Sequence, residues 1–117
     1  MEIVNGRIVD DGEGGGAGLG DPINVTPVSG VVNAGGAQNL IINAETGTTD
    51  TLDQITGLEV GLFVVISPAS GDTITVADGA SMNLGGVPWI MQDTKDKMTL
   101  QVTAVGVCDE LSRSSND

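Results

Sequence analysis

Histidine and tyrosine are absent from this 117-residue chain, and cysteine, phenylalanine and tryptophan occur once each, as Cys108, Phe63 and Trp89. Without histidine no Ser-His or Cys-His pair can form, which removes the commonest designs for an activated nucleophile. One cysteine cannot close an internal disulfide, and one cysteine without histidine cannot assemble a structural zinc site. Cys108 follows Val105 and Val107 with no base nearby in sequence, so it reads as a small apolar filler. The shortage of aromatics has a second consequence. Aromatic side chains bury about 150–250 Å² each, and small domains already bury a lower share of their surface. Eighteen glycines add backbone entropy that folding must overcome. With disulfides and zinc excluded, oligomerisation is the economical source of extra buried surface.

Positive charge is also scarce. Arg7, Lys95, Lys97 and Arg113 stand against sixteen acids, for a net charge of −12. Nucleic-acid affinity depends on Lys and Arg neutralising phosphates, so nucleic acid is not an expected partner. An anionic membrane surface is disfavoured for the same reason. The longest apolar run, Leu58 to Ile66, is far short of the roughly 20 residues of a membrane helix and carries Glu59. Glu2 and Asn5 stand where a signal peptide would be basic and then apolar. The expectation is a soluble protein made in a cytoplasm.

What is present divides the chain into two parts, residues 1–30 and residues 31–117. The first opens with Ile3, Val4, Ile8 and Val9, then runs through Asp10-Asp11-Gly12-Glu13-Gly14-Gly15-Gly16 to Gly20. Such a glycine tract reads as a linker, and Asp21-Pro22 and Thr26-Pro27 impose extended backbone after it. The four aliphatic residues ahead of it are candidate contacts with a larger partner. From residue 31 the pattern is β. Val31-Val32-Asn33-Ala34 and Leu40-Ile41-Ile42-Asn43-Ala44 are apolar runs that each close on Asn-Ala. Phe63-Val64-Val65-Ile66 is a continuous run, read as a buried strand that Pro68 stops. Thr73-Ile74-Thr75-Val76 alternates, with Ile74 and Val76 on one face. Met98-Thr99-Leu100-Gln101-Val102 alternates again, with Met98, Leu100 and Val102 inward. Phe63, Val65, Ile74, Val76, Met98, Leu100 and Val102 are the expected core or oligomer contacts. Thr51 to Gly57 reads as a turn or strand start, because its threonines are poor helix formers. Beyond Leu111 the polar end is expected to fray. Short strands with Gly- and Asp-bearing turns predict an all-β fold, a short-stranded antiparallel sandwich, barrel or β-prism.

Candidate chemistry is thin, and the chain is expected not to be an enzyme. Gly12-Glu13-Gly14-Gly15-Gly16-Ala17 satisfies a loose G-x-G-x-x-A pattern. That pattern works only between a strand and a helix, and Asp10, Asp11 and Glu13 would repel a pyrophosphate. Neither Asp93-Thr94-Lys95-Asp96 nor the Asp72 to Asp78 stretch has the acid spacing of a calcium loop. These acids read as solvated turns. Asp50 with Asp53 could be a glycosidase pair, but such sites need a cleft and usually aromatic platforms. No cofactor and no metal is expected.

One longer resemblance covers a little over half the chain. Asp50-Thr51-Leu52-Asp53-Gln54-Ile55-Thr56-Gly57-Leu58 precedes Gly61-Leu62-Phe63-Val64-Val65-Ile66-Ser67-Pro68. Asp72-Thr73-Ile74-Thr75-Val76-Ala77-Asp78-Gly79, Asn83-Leu84-Gly85-Gly86 and Asp96-Lys97-Met98-Thr99-Leu100-Gln101-Val102 follow, and Glu110-Leu111-Ser112-Arg113-Ser114-Ser115-Asn116 closes the series. In order and spacing this resembles a β-rich module of tailed-bacteriophage virion proteins, found in head decoration (cement) proteins, head fibres and tail fibres. The family often carries a Trp just before the closing phrase, where this chain has Val107-Cys108-Asp109. Its own Trp89 falls earlier. The resemblance implies an intertwined homotrimer on the capsid exterior, with the major capsid protein as partner and no catalytic residues. Shortness favours a decoration protein over the alternative, a head or tail fibre module that binds a host-surface receptor or glycan. A carbohydrate-active enzyme subunit is the third and weakest reading.

Overall fold

A computed structural model of the protein describes residues 19–115. Ile3, Val4, Ile8 and Val9 and most of the glycine tract lie outside the described residues. Eleven strands form: β1 (Ile23–Val25), β2 (Val31–Asn33), β3 (Asn39–Ile42), β4 (Thr49–Leu52), β5 (Gln54–Thr56), β6 (Phe63–Pro68), β7 (Thr73–Val76), β8 (Met82–Asn83), β9 (Trp89–Met91), β10 (Lys97–Ala104) and β11 (Val107–Ser114). They make a six-stranded sheet in the order β1-β3-β6-β10-β11-β8, a two-stranded sheet β2-β5 and a three-stranded sheet β4-β7-β9. The described chain is all-β.

From β3 the chain visits the three sheets in rotation. β3 lies in the six-stranded sheet, β4 in the three-stranded and β5 in the two-stranded, before β6 returns beside β3 and β7 beside β4. Each return lays a strand parallel to its predecessor: β3 on β1, β6 on β3, β5 on β2 and β7 on β4. Parallel neighbours require a crossover. Here the crossover runs through the other two sheets, which stacks the coils like a short solenoid. The antiparallel architecture expected from the sequence is therefore corrected. Among the described strands, antiparallel pairing is confined to β9 on β7, β10 on β6 and the β10–β11 hairpin.

Two boundaries also move. β1 lies ahead of the division drawn at residue 30, yet Ile23, Asn24 and Val25 pair with Leu40, Ile41 and Ile42. Beyond Leu111 the strand continues, with Ser112, Arg113 and Ser114 paired to Thr99, Met98 and Lys97.

All three sheets turn one side onto a single aliphatic core. Leu40, Ile42, Val64, Ile66, Met98, Leu100 and Val102 come from the six-stranded sheet; Leu52, Ile74, Val76 and Met91 from the three-stranded; Val32 and Ile55 from the two-stranded. Ile74, Val76, Met98, Leu100 and Val102 are thus buried as expected. Phe63 and Val65 are not part of this core. In β6 it is Val64 and Ile66 that point inward, leaving Phe63 exposed and Val65 half-buried. The register decides it, because Ile66 pairs with Met98 and Val64 with Leu100, both already committed to the core.

Tight turns join the strands, and one design occurs twice. In Asn33-Ala34-Gly35-Gly36 and Asn83-Leu84-Gly85-Gly86 the Asn side-chain oxygen accepts the amide of the first glycine. Both glycines in each turn have positive φ, a conformation costly for any residue with a Cβ. Ala34 and Leu84 are tucked into the core between them.

Candidate interaction surface

Alternation along a strand that buries one set of side chains must present the other set outward. On β1, β3, β6 and β10 the outward set is Asn24, Asn39, Ile41, Phe63, Val65, Thr99 and Gln101, with Lys97 at the end of β10. Pairing aligns them in rows, Asn39 with Val65 and Val65 with Thr99, Asn24 with Ile41, and Phe63 with Gln101. None of these residues is acidic, in a chain with sixteen acids. Acids resume on β11, where Asp109 faces Gln101.

The acids instead gather at turns, where they accept backbone amides. Asp50 accepts from Glu45 and Thr51, Asp72 from Ala44, and Asp93 from Lys95. Asp78 accepts from Leu84 at 2.8 Å and Gly86 at 3.2 Å. Asp96 is 1% exposed and accepts from Gln92 and Asp93. A carboxylate facing amide donors gains charge-assisted hydrogen bonds. The acids read from sequence as solvated turns are more specific than that: they hold the turns closed. Asp50, one half of the glycosidase pair considered above, is committed in this way.

Within this acid-free face lies a groove of about 400 Å³. Ile41 and Val65 form its apolar floor, with Asn24, Asn39, Ser67 and Lys97 around it. Asn39 also donates from Nδ2 to the Gly20 carbonyl at 3.2 Å, tying the start of the described chain to the groove wall. No carboxylate lines the groove.

The other distinctive cluster joins β9 to the end of β11. Arg113 grips both carboxylate oxygens of Glu110, its guanidinium Nη2 donating at 2.7 Å. It also donates to the Val87 carbonyl at 2.9 Å and lies over the Trp89 ring, 5.4 Å from the centroid. The hydrogen bond to Glu110 raises the guanidinium pKa further, so the charge is permanent. Trp89, remote in sequence from the closing Glu110-Leu111-Ser112-Arg113, is therefore beside it in space. Sequence reasoning placed the two apart; in the fold the Arg113 hydrogen bond to the Val87 carbonyl and its place over the ring join them.

Cys108 is fully buried in the core, as its filler reading requires. Burial, with a smaller contribution from Asp109, pushes its thiol pKa up to about 11, which suppresses the reactive thiolate. Among the described residues there is no group of three or more metal-ligating side chains, and no helix is long and apolar enough to cross a membrane. Comparison with known proteins returns no matching family model, no matching curated protein and no matching solved structure.

Proposed function

We propose that this protein is a structural component of a phage virion, a decoration protein that self-associates as a homotrimer on the capsid exterior. It works by packing, not by catalysis. The observation that carries the reading is the acid-free outer face of β1, β3, β6 and β10, where Lys97 at the edge is the one charged side chain. Interface cores are depleted of charged residues and enriched in aromatics. This face combines that depletion with the exposed Phe63 and the half-buried Ile41 and Val65. The surplus acids sit elsewhere, at turns and on β4 and β11, where net charge favours solubility. The resemblance of the ordered sequence phrases to phage decoration and fibre proteins supports the particle as the setting. Contact with the major capsid protein then falls to Ile3, Val4, Ile8 and Val9.

Antibody-labelled electron microscopy of the phage that encodes the chain tests the proposal. Label distributed over the head exterior is the expected result. Label at the tail alone points to the fibre reading, and unlabelled particles overturn the virion role. Light scattering coupled to gel filtration checks the assembly separately, since a monomer at micromolar concentration rules out the trimer.

A further inference from the structure

We infer that the copies join head to tail across this face: the row Phe63-Gln101-Asp109 of one copy seats on the row Ile41-Ser67-Lys97 in the groove of the next. The inference rests on the homotrimer proposed above and names the contact within it. A two-fold dimer joins one patch to itself, whereas a contact repeated around a three-fold axis joins two different patches. The outer side of the six-stranded sheet carries two that match.

Strand pairing builds both rows. Ile41 pairs with Ser67, and Ile66 pairs with Met98, so Lys97 follows Ser67 in the same register. All three line the groove. Across β3, β6 and β10 this row offers an aliphatic group, a hydroxyl and a cation. Phe63 pairs with Gln101, and Gln101 with Asp109. Across β6, β10 and β11 that row offers an aromatic ring, an amide and an anion. Each row spans two strand spacings, about 10 Å. The rows lie four residues apart along β6 and β10, about 13 Å, and one strand out of step. The long flexible stem of Lys97 covers that step.

Each row lacks what the other supplies. Ser67 is 4% exposed and lines the groove, and its hydroxyl makes no hydrogen bond among the described residues. A buried hydroxyl in that state is costly until a partner arrives. Gln101 gives its Nε2 to the Gly61 carbonyl at 3.4 Å, which leaves its amide oxygen to accept. Lys97 is exposed, makes no ion pair among the described residues and shares its groove with no carboxylate. Asp109 makes no ion pair among the described residues either; it accepts from the Thr103 hydroxyl at 3.5 Å. The exposed Phe63 ring supplies the anchor, and Ile41 the apolar floor beneath it. Opposite charges at the far ends of the rows then fix the register.

Zero-length carbodiimide coupling of the full-length, unsubstituted chain tests it, with the products read on a denaturing gel and by peptide mapping. Within one copy the backbones at Lys97 and Asp109 are about 14 Å apart at usual strand geometry, so an amide between them must join two copies. Covalent trimers carrying the Lys97–Asp109 bond are the expected result. Sedimentation gives the second readout. Lys97→Glu and Asp109→Lys should each raise the protein concentration at which the trimer dissociates by more than tenfold, because like charges then face each other. Combining the two exchanges should restore the unmodified value. Lys97 is exposed, so Lys97→Glu keeps the test valid should Asp109→Lys disturb folding. A trimer that lacks the Lys97–Asp109 bond and ignores the charge exchange overturns this inference while leaving the homotrimer standing. Coupling through Lys97 and Asp109 that stops at dimers overturns it too. An unmodified chain that is monomeric at micromolar concentration removes the homotrimer, and the inference falls with it.

Discussion

In the β10–β11 hairpin, two eight-residue strands that follow one another in sequence also lie side by side in the sheet. In the stacked coils, by contrast, strands of three to six residues find partners a whole circuit away, as when Ile23 meets Leu40 and Leu40 meets Ile66. The hairpin closes a short loop and commits a long alternating pattern to the core. The coils gain little from any one strand, and each circuit must turn sharply between sheets. Their order therefore depends on turn chemistry: glycines with positive φ and carboxylates that accept amides. The two regions share one core but should fail for different reasons, through lost burial in the hairpin and through lost turns in the coils.

The largest effect is expected where burial dominates. Leu100, fully buried in β10, should cost about 2–5 kcal/mol on replacement by Ala, within the usual range for such truncations. Denaturant unfolding measures it, and a loss typical of a surface site, below about 0.5 kcal/mol, contradicts the assigned face of β10. The coil counterpart is Gly57. It has φ of 82°, and a Cβ there would lie 2.8 Å from the Gly35 backbone nitrogen. Gly57→Ala should cost about 2 kcal/mol, from left-handed strain of about 1–2 kcal/mol and the displaced neighbour. A neutral result shows that this turn yields more easily than the comparison allows.

Asp78 probes the carboxylate half of the same argument. Its replacement by Ala leaves two amides without their acceptor and should cost about 1.5 kcal/mol, the low end for hydrogen bonds to charged groups. Asp78→Asn keeps an acceptor and should recover part of the loss; equal losses in the two variants show that acceptance is not what matters. Cys108, in the hairpin, gives a pH-dependent test. Its folded-state pKa is raised to about 11 from 9.0, so folding favours the protonated thiol. That contribution is fully present below pH 9 and is lost as the pH climbs toward 11. Cys108→Ala should flatten this alkaline decline, read from melts across that range. Thiol reagents at pH 8 should label the native protein only through unfolding.

The first strand of the hairpin, β10, was the legible part of the fold, whereas β11 was not read as a strand and was expected to fray beyond Leu111. Met98, Leu100 and Val102 alternate with polar residues, and that pattern assigns their face without knowledge of any partner. Ile74 and Val76 were legible for the same reason. In β6 the run Phe63-Val64-Val65-Ile66 has no polar residue to mark its phase. Only its pairing with β10 assigns Val64 and Ile66 inward. Parallel stacking was hidden because the coils differ in length, so no fixed period marks it. The recurring Asn33-Ala34-Gly35-Gly36 and Asn83-Leu84-Gly85-Gly86 was a usable signal of like turns. The candidate surface follows from the same phase: with Phe63 and Val65 placed inward, the outer face could not be seen as continuous.

The smallest effect on folding should come from that face, and there the sharper readout is assembly. Phe63 is 45% exposed and pairs across strands with Gln101, so Phe63→Gln should cost the monomer fold under about 1 kcal/mol, the range of such pairs. If the face joins copies of the chain, the same change removes an aromatic anchor from an interface. Losing an anchor costs about 2 kcal/mol or more, and each 1.4 kcal/mol is tenfold in the dissociation constant. Sedimentation over a concentration series should therefore show dissociation of the trimer at more than tenfold higher protein concentration than for the unmodified chain. Val105→Ser is the matched control, since Val105 is 89% exposed at the hairpin tip and lies off the face. It should change neither stability nor assembly. Should Phe63→Gln behave like Val105→Ser on both measures, the acid-free face is not where copies meet. Self-association would then have to use another apolar edge, such as the exposed Ile90 and Val87 beside β9.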